Sequence, residues 1–169
     1  MHRFFADERG VVQGAAYLNA EDAGHALRVL RLESGDEVEL VCAPARYRAK
    51  IDSTEGGEVR LRVIEKLRDT EARTRVTLYQ GLPKADKMEL IVQKSTELGA
   101  AAIAPVAMIR SVVRLEGKDA AKKTERWQKI AREAVKQCAR VSAPEVRLPR
   151  KLSAMREELN ALDVLIVPW

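Results

Sequence analysis

Cysteine, histidine and aromatic residues are all scarce in this 169-residue chain. Two cysteines, Cys42 and Cys138, cannot build a disulfide framework or a cysteine-based zinc site. His2 and His25 add no ligand pair at metal spacing, so a metal-free protein is expected. The seven aromatic residues are too few for an extended platform on which unpaired bases stack. No apolar stretch at the start has the form of a signal peptide, and no window approaches the length of a membrane span. A cytoplasmic protein is the resulting expectation. A Gly-rich phosphate loop at a strand-to-helix turn is also missing, which weighs against a nucleotide-binding α/β enzyme.

What is present is apolar content of 46%, enough for a real core, and a charge that is unevenly distributed. The net charge of +5 divides into −2 for residues 1–70 and +7 for residues 71–169. Between Arg110 and Lys151 the local balance reaches +8. Lys129, Arg132, Lys136 and Arg140 recur at helical spacing opposite an apolar face that includes Trp127, a stripe suited to phosphates. In the first half, His25, Arg28 and Arg31 form a row on a short helix. Arg46, Arg48 and Lys50 share one face of an alternating strand, with Arg3 as a further candidate cation. Two patches in two regions point to a polyanionic partner.

The hydrophobic period changes near residue 70. Before it, Glu37 to Leu40, Arg46 to Ile51 and Val59 to Val63 alternate as half-buried strands separated by Gly turns. One helix, Asn19 to Leu32, opens on an Asn19/Asp22 capping signal and buries Ala23, Ala26, Leu27 and Leu30. This pattern suggests a small barrel. After residue 70, strand and helix alternate. Val76 to Leu82 is expected to be covered on both faces, and a helix from Lys84 to Leu98 ends at Gly99 with Met88, Ile91, Val92 and Leu98 inward. A second strand covers Ala100 to Met108, followed by a long helix through Trp127 and a short strand between Pro144 and Pro149. A helix from Ser153 to Leu162 and a last strand from Asp163 to Trp169 complete the alternation. Such alternation implies a parallel sheet.

Several segments together resemble a known family. They are His25 with Leu27 to Asp36 (LRVLRLESGD), Gln80 to Gly99 (QGLPKADKMELIVQKSTELG), Arg110-Ser-Val112, and Arg126-Trp127 leading through Ala134 to Gln137 and Arg140. In order and spacing they are similar to the small-subunit ribosomal RNA methyltransferases that modify N3 of a uridine in 16S rRNA. The resemblance implies an α/β protein with a PUA-like RNA-binding β-barrel over residues 1–70. Residues 74–169 would begin a parallel-sheet SPOUT methyltransferase domain with a trefoil knot. It further implies S-adenosylmethionine as cofactor, 16S rRNA or the assembled small ribosomal subunit as partner, and a homodimer. The family's Gly-Pro-Glu-Gly-Gly loop and Leu-Gly-x-Arg-Ile-Leu-Arg segment, which close the knot and hold the cofactor, do not occur in this sequence. The expectation is therefore a carboxyl-terminally truncated domain without most of its cofactor pocket, and a non-catalytic RNA-binding module stays open as the alternative.

Methylating a uracil N3 requires removal of its proton, so a cation that stabilises the developing anion is as useful as a general base. Arg110, in the loop after the Ala100 to Met108 strand, and Lys84, after the Val76 to Leu82 strand, are the candidate catalytic residues, a phosphate contact being equally compatible for Arg110. Glu97 is a weaker candidate base because Lys94 lies one turn before it. The expected RNA-binding residues are Arg3, His25, Arg28, Arg31, Arg46, Arg48, Lys129, Arg132, Lys136 and Arg140. By the family pattern, Pro168 and Trp169 stand on the cofactor side.

Overall fold

The computed structural model describes residues 1–68, 71–84, 86–109, 115–138 and 140–168. The chain divides into two compact units, Met1–Glu71 and Ala72–Trp169.

The first unit is a curled five-stranded sheet with one helix. Its strands are β1 (His2–Phe5), β2 (Ala15–Tyr17), β3 (Glu37–Cys42), β4 (Ala45–Ser53) and β5 (Arg60–Lys66), in the order β1-β3-β4-β5-β2. β1 runs parallel to β3, and every other pairing is antiparallel. The two outer strands are brought together beyond their ends by an Ala6–Leu18 bridge and by the Asp7 amide donating to the Tyr17 carbonyl at 2.8 Å. Side chains alternate across a strand, so Val38 and Leu40, Ala49 and Ile51, and Leu61 turn inward with Phe4. The charged residues between them turn out.

Helix α1 (Ala20–Arg28) closes that core with Ala23 and Ala26. The Asn19 side chain accepts the Asp22 amide at 2.9 Å, while the Asp22 carboxylate accepts the Phe5 amide at 2.6 Å and the Asn19 side-chain amide at 3.1 Å. The capping signal thus also ties the helix to β1. The helix stops at Arg28 rather than Leu32, because the Val29 and Leu30 amides both donate to the His25 carbonyl and Arg31 takes a left-handed φ of 53°.

The second unit holds β6 (Thr77–Gly81), α2 (Lys87–Glu97), β7 (Ala102–Ala107), α3 (Gly117–Cys138), β8 (Glu145–Val146), β9 (Arg150–Lys151) and α4 (Arg156–Asn160), with a 3-10 turn over Leu152–Met155. All its strand pairings are parallel. β8 meets the start of β7, and β9 meets its end through Val106–Arg150 and Ala107–Lys151. Leu82, Met88, Val92, Ile103, Trp127, Ala131 and Val146 form the core.

Three expectations are corrected. β7, not β6, is the buried strand: among the described residues β6 pairs with β7 alone, and its residues are half-buried. Leu98 is 87% exposed because it lies past the end of α2, as its C-cap, just before Gly99 turns at φ 96°. Residues 163–168 form no strand, and Val164 to Val167 are exposed. Strand propensity does not supply a ladder partner, and among the described residues that run has none. Cys42 and Cys138 are half-buried free thiols.

Candidate cofactor cavity and RNA interface

Parallel α/β sheets bind ligands beyond the carboxyl ends of their strands, because loops there splay apart while the helices return below. In the second unit a cavity of about 1140 Å³ opens at that edge. Ala107, Met108 and Ile109 line it where β7 ends, and Lys151, Leu152 and Ser153 where β9 ends. Leu115 and Glu116 before α3, and Arg156, Leu159 and Asn160 of α4, form its other walls. The lining is mainly aliphatic, with a few polar groups, the usual make-up of a small-molecule site.

The wall formed by α4 is anchored by one carboxylate. Glu158 accepts the Tyr79 hydroxyl of β6 at 2.7 Å and pairs with the guanidinium groups of Arg147 and Arg150. Arg147 also pairs with Glu145 at 3.1 Å. The Tyr79 hydrogen bond foremost, then the two arginines, hold Glu158 down at about 2, while burial and the same carboxylate push the Tyr79 hydroxyl up. A carboxylate depressed on folding stabilises the fold above its unfolded pKa and loses that contribution as pH falls through the folded value. The second unit is therefore expected to lose stability between about pH 4.5 and about 2. Urea unfolding at stepped pH should show Glu158→Gln flattening that slope. An unchanged slope would mean the cluster does not hold α4. No spacing in the sequence pairs residues 79 and 158, which is why this cluster is invisible there.

The predicted catalytic residues are placed as follows. Arg110 lies outside the described residues, immediately after the exposed Ile109 of the cavity rim. Lys84 is exposed beyond the carboxyl end of β6 and does not line the cavity. Pro168 is exposed and is not part of the lining either, while Trp169 lies outside the described residues. Glu97 pairs with Lys94 at 2.7 Å, which holds its carboxyl below the usual range and makes it a poor base.

The predicted RNA-binding cations separate into bound and available groups. On the first unit's strand face, Glu39 lies 3.5 Å from Arg3 and 3.3 Å from Arg46, Glu65 lies 3.0 Å from Arg48, and Glu37 lies 3.4 Å from Lys50. The antiparallel register sets Lys50 directly opposite Glu37 and Arg48 opposite Glu65. What reads as a cationic surface is a charge-compensated ladder. His25, Arg28 and Arg31 are exposed, and among the described residues no acid pairs with them. Lys129 and Arg132 are exposed on α3, whereas Lys136 is 3.4 Å from Glu133. Arg140 does not continue the stripe, since α3 ends at Cys138. Its guanidinium donates to the Thr96 carbonyl at 3.0 Å and the Ala100 carbonyl at 2.8 Å, where it complements the negative end of α2.

Comparison with known proteins places this architecture. Over 155 residues the chain is 36% identical to the ribosomal RNA small subunit methyltransferase E of Bacillus subtilis, covering 90% of this chain and 60% of that protein. The enzyme of the same name from Aquifex aeolicus is 31% identical, with 94% of this chain and 67% of that protein covered. The crystal structure of the Neisseria gonorrhoeae ribosomal RNA small subunit methyltransferase E, bound to S-adenosyl methionine, superimposes with a TM-score of 0.70 at 31% identity. That match covers 96% of this chain and 66% of the solved one. The chain thus spans about three fifths to two thirds of the length of these relatives. Residues 70–169 match the RNA methyltransferase domain, and with a parallel sheet that carries its cavity at the strands' carboxyl ends, the chain belongs to the RNA methyltransferase domain family.

Proposed function

We propose that this chain is part of a cytoplasmic, homodimeric enzyme that uses S-adenosylmethionine to methylate N3 of a uridine in 16S rRNA. The observation that carries this reading is the 36% identity with a ribosomal RNA small subunit methyltransferase E, which runs through both units. In this reading the curled sheet of the first unit is a PUA-like RNA-holding barrel, and the second unit belongs to a trefoil-knot methyltransferase domain of SPOUT type.

The cavity residues suit the cofactor. Its aliphatic wall of Met108, Ile109, Leu152 and Leu159 accepts an adenosine ring system, and Glu116 complements the positive amino and sulfonium groups. S-adenosylmethionine supplies an electrophilic methyl group when bound. The chain's own part is to orient the base, exclude water and stabilise negative charge as the uracil nitrogen loses its proton. The last role is assigned to Arg110, which follows the cavity-lining Ile109 in the sequence, and to Lys84, which lies beyond the carboxyl end of β6. His25, Arg28 and Arg31 contact the RNA from the first unit.

Calorimetric titration with S-adenosylmethionine is expected to give heat. Small-subunit RNA incubated with the protein and labelled cofactor should then carry its methyl on a uridine N3, as located by mass spectrometry. A methyl group at another atom would overturn the N3 assignment. RNA binding with neither heat nor transfer would favour the alternative of a non-catalytic RNA-binding module.

A further inference from the structure

The exposed side of α3 carries its cations farther toward the amino end of the helix than the sequence stripe indicates. At 100° per residue, Lys118, Lys122, Lys129 and Arg132 fall within an arc of about 80°. Ala120, Trp127, Ala131 and Ala134, which are buried, occupy the opposite side. All four cations are exposed, and no acid among the described residues pairs with any of them. Glu125 is the one acid of the helix inside the arc. From Lys118 to Arg132 the row extends about 21 Å along a rigid rod.

The chemistry of this face is one-sided. The single aromatic residue in α3, Trp127, is 4% exposed and lies in the core, so the outer face offers charge without any surface for base stacking. Proteins that hold unpaired strands combine cations with aromatic platforms, whereas paired RNA is held through phosphates and sugars by shape. A straight, rigid row of cations suits a ligand whose phosphates are already fixed in a regular row. An unpaired strand would have to be ordered first, at an entropic cost.

We infer that the outer face of α3 is a docking rail for the sugar-phosphate backbone of paired RNA, formed by Lys118, Lys122, Lys129 and Arg132. This rests on the RNA-substrate reading above and adds to it a helical RNA segment, distinct from the nucleotide that is modified. The charge-compensated strand face of the first unit does not share the task.

The test uses the whole chain, an RNA duplex of about 16 base pairs and an unpaired RNA of equal length, titrated at a series of salt concentrations. The wild type is expected to bind the duplex at least about tenfold more tightly than the unpaired strand. The triple variant Lys122→Gln, Lys129→Gln, Arg132→Gln removes exposed charges without touching the core, and circular dichroism checks that it folds. It should lose about tenfold in duplex affinity at moderate salt, with the slope of log affinity against log salt reduced by about two to three. An unchanged slope in a variant whose parent binds duplex would overturn the rail while leaving the RNA reading intact. Equal wild-type binding to both RNAs would overturn the preference for paired RNA. A wild type that binds neither would overturn the RNA reading, and the rail with it.

Discussion

Alanine in place of Arg110 is expected to slow the proposed methyl transfer by about 10²- to 10³-fold, or roughly 2.7–4 kcal/mol of transition-state stabilisation. β7 is the buried strand of the second unit, and the three residues leading from its carboxyl end, Ala107, Met108 and Ile109, line the cavity. Arg110 is the next residue along the chain. Glu97, the candidate base, is engaged by Lys94 and held below the usual range. In the proposed reaction a permanently charged guanidinium at Arg110 would stabilise an anionic uracil without a strong general base. Single-turnover transfer at saturating RNA reads this effect directly, and a separate binding titration should show RNA affinity changed about threefold or less, as for loss of one phosphate contact. If affinity alone fell and the saturated rate were unchanged, Arg110 would be a phosphate ligand.

Trp127→Ala is expected to destabilise the second unit by about 3–5 kcal/mol, from the lost transfer of a large aromatic side chain and the cavity left behind. Trp127 is 4% exposed and lies with Met88, Val92, Ile103 and Val146, so the hole would open where α2, α3 and the sheet meet. Against a typical total of about 5–15 kcal/mol this is a large fraction, and the variant should unfold at a much lower denaturant concentration. Urea unfolding followed by circular dichroism measures the loss. Trp127→Phe keeps a ring in the same place and should cost markedly less. A cost below about 1 kcal/mol for alanine would mean that the neighbours collapse into the space, contrary to a close-packed core.

Much of the fold follows from neighbours along the chain. Val38 and Leu40 alternate with Glu37 and Glu39, and that period of two marks a half-buried strand wherever it is placed. Asn19 caps α1 through an amide three residues away, and Gly99 turns the chain out of α2 in a conformation that glycine adopts at little cost. The face of α3 that carries Trp127, Ala131 and Ala134 is readable for the same reason. These are local properties, decided within one or two turns.

The fate of each charge was settled elsewhere. Arg46 and Arg48 look no different in sequence from Lys129 and Arg132, yet the register of β3, β4 and β5 sets glutamates against the first pair. Arg140 sits at the right interval to extend a helical stripe, but the helix ends first and two carbonyls of another segment claim its guanidinium. Tyr79 and Glu158 meet across 79 positions. The sequence by itself determined most of the elements, the buried faces of α1, α3 and the alternating strands, and the excess of positive charge in the second half. The tertiary structure alone decided which strand is central, where the cavity opens and which cations stay available to a polyanion, because pairing depends on the register and contact of distant segments, which no local pattern encodes.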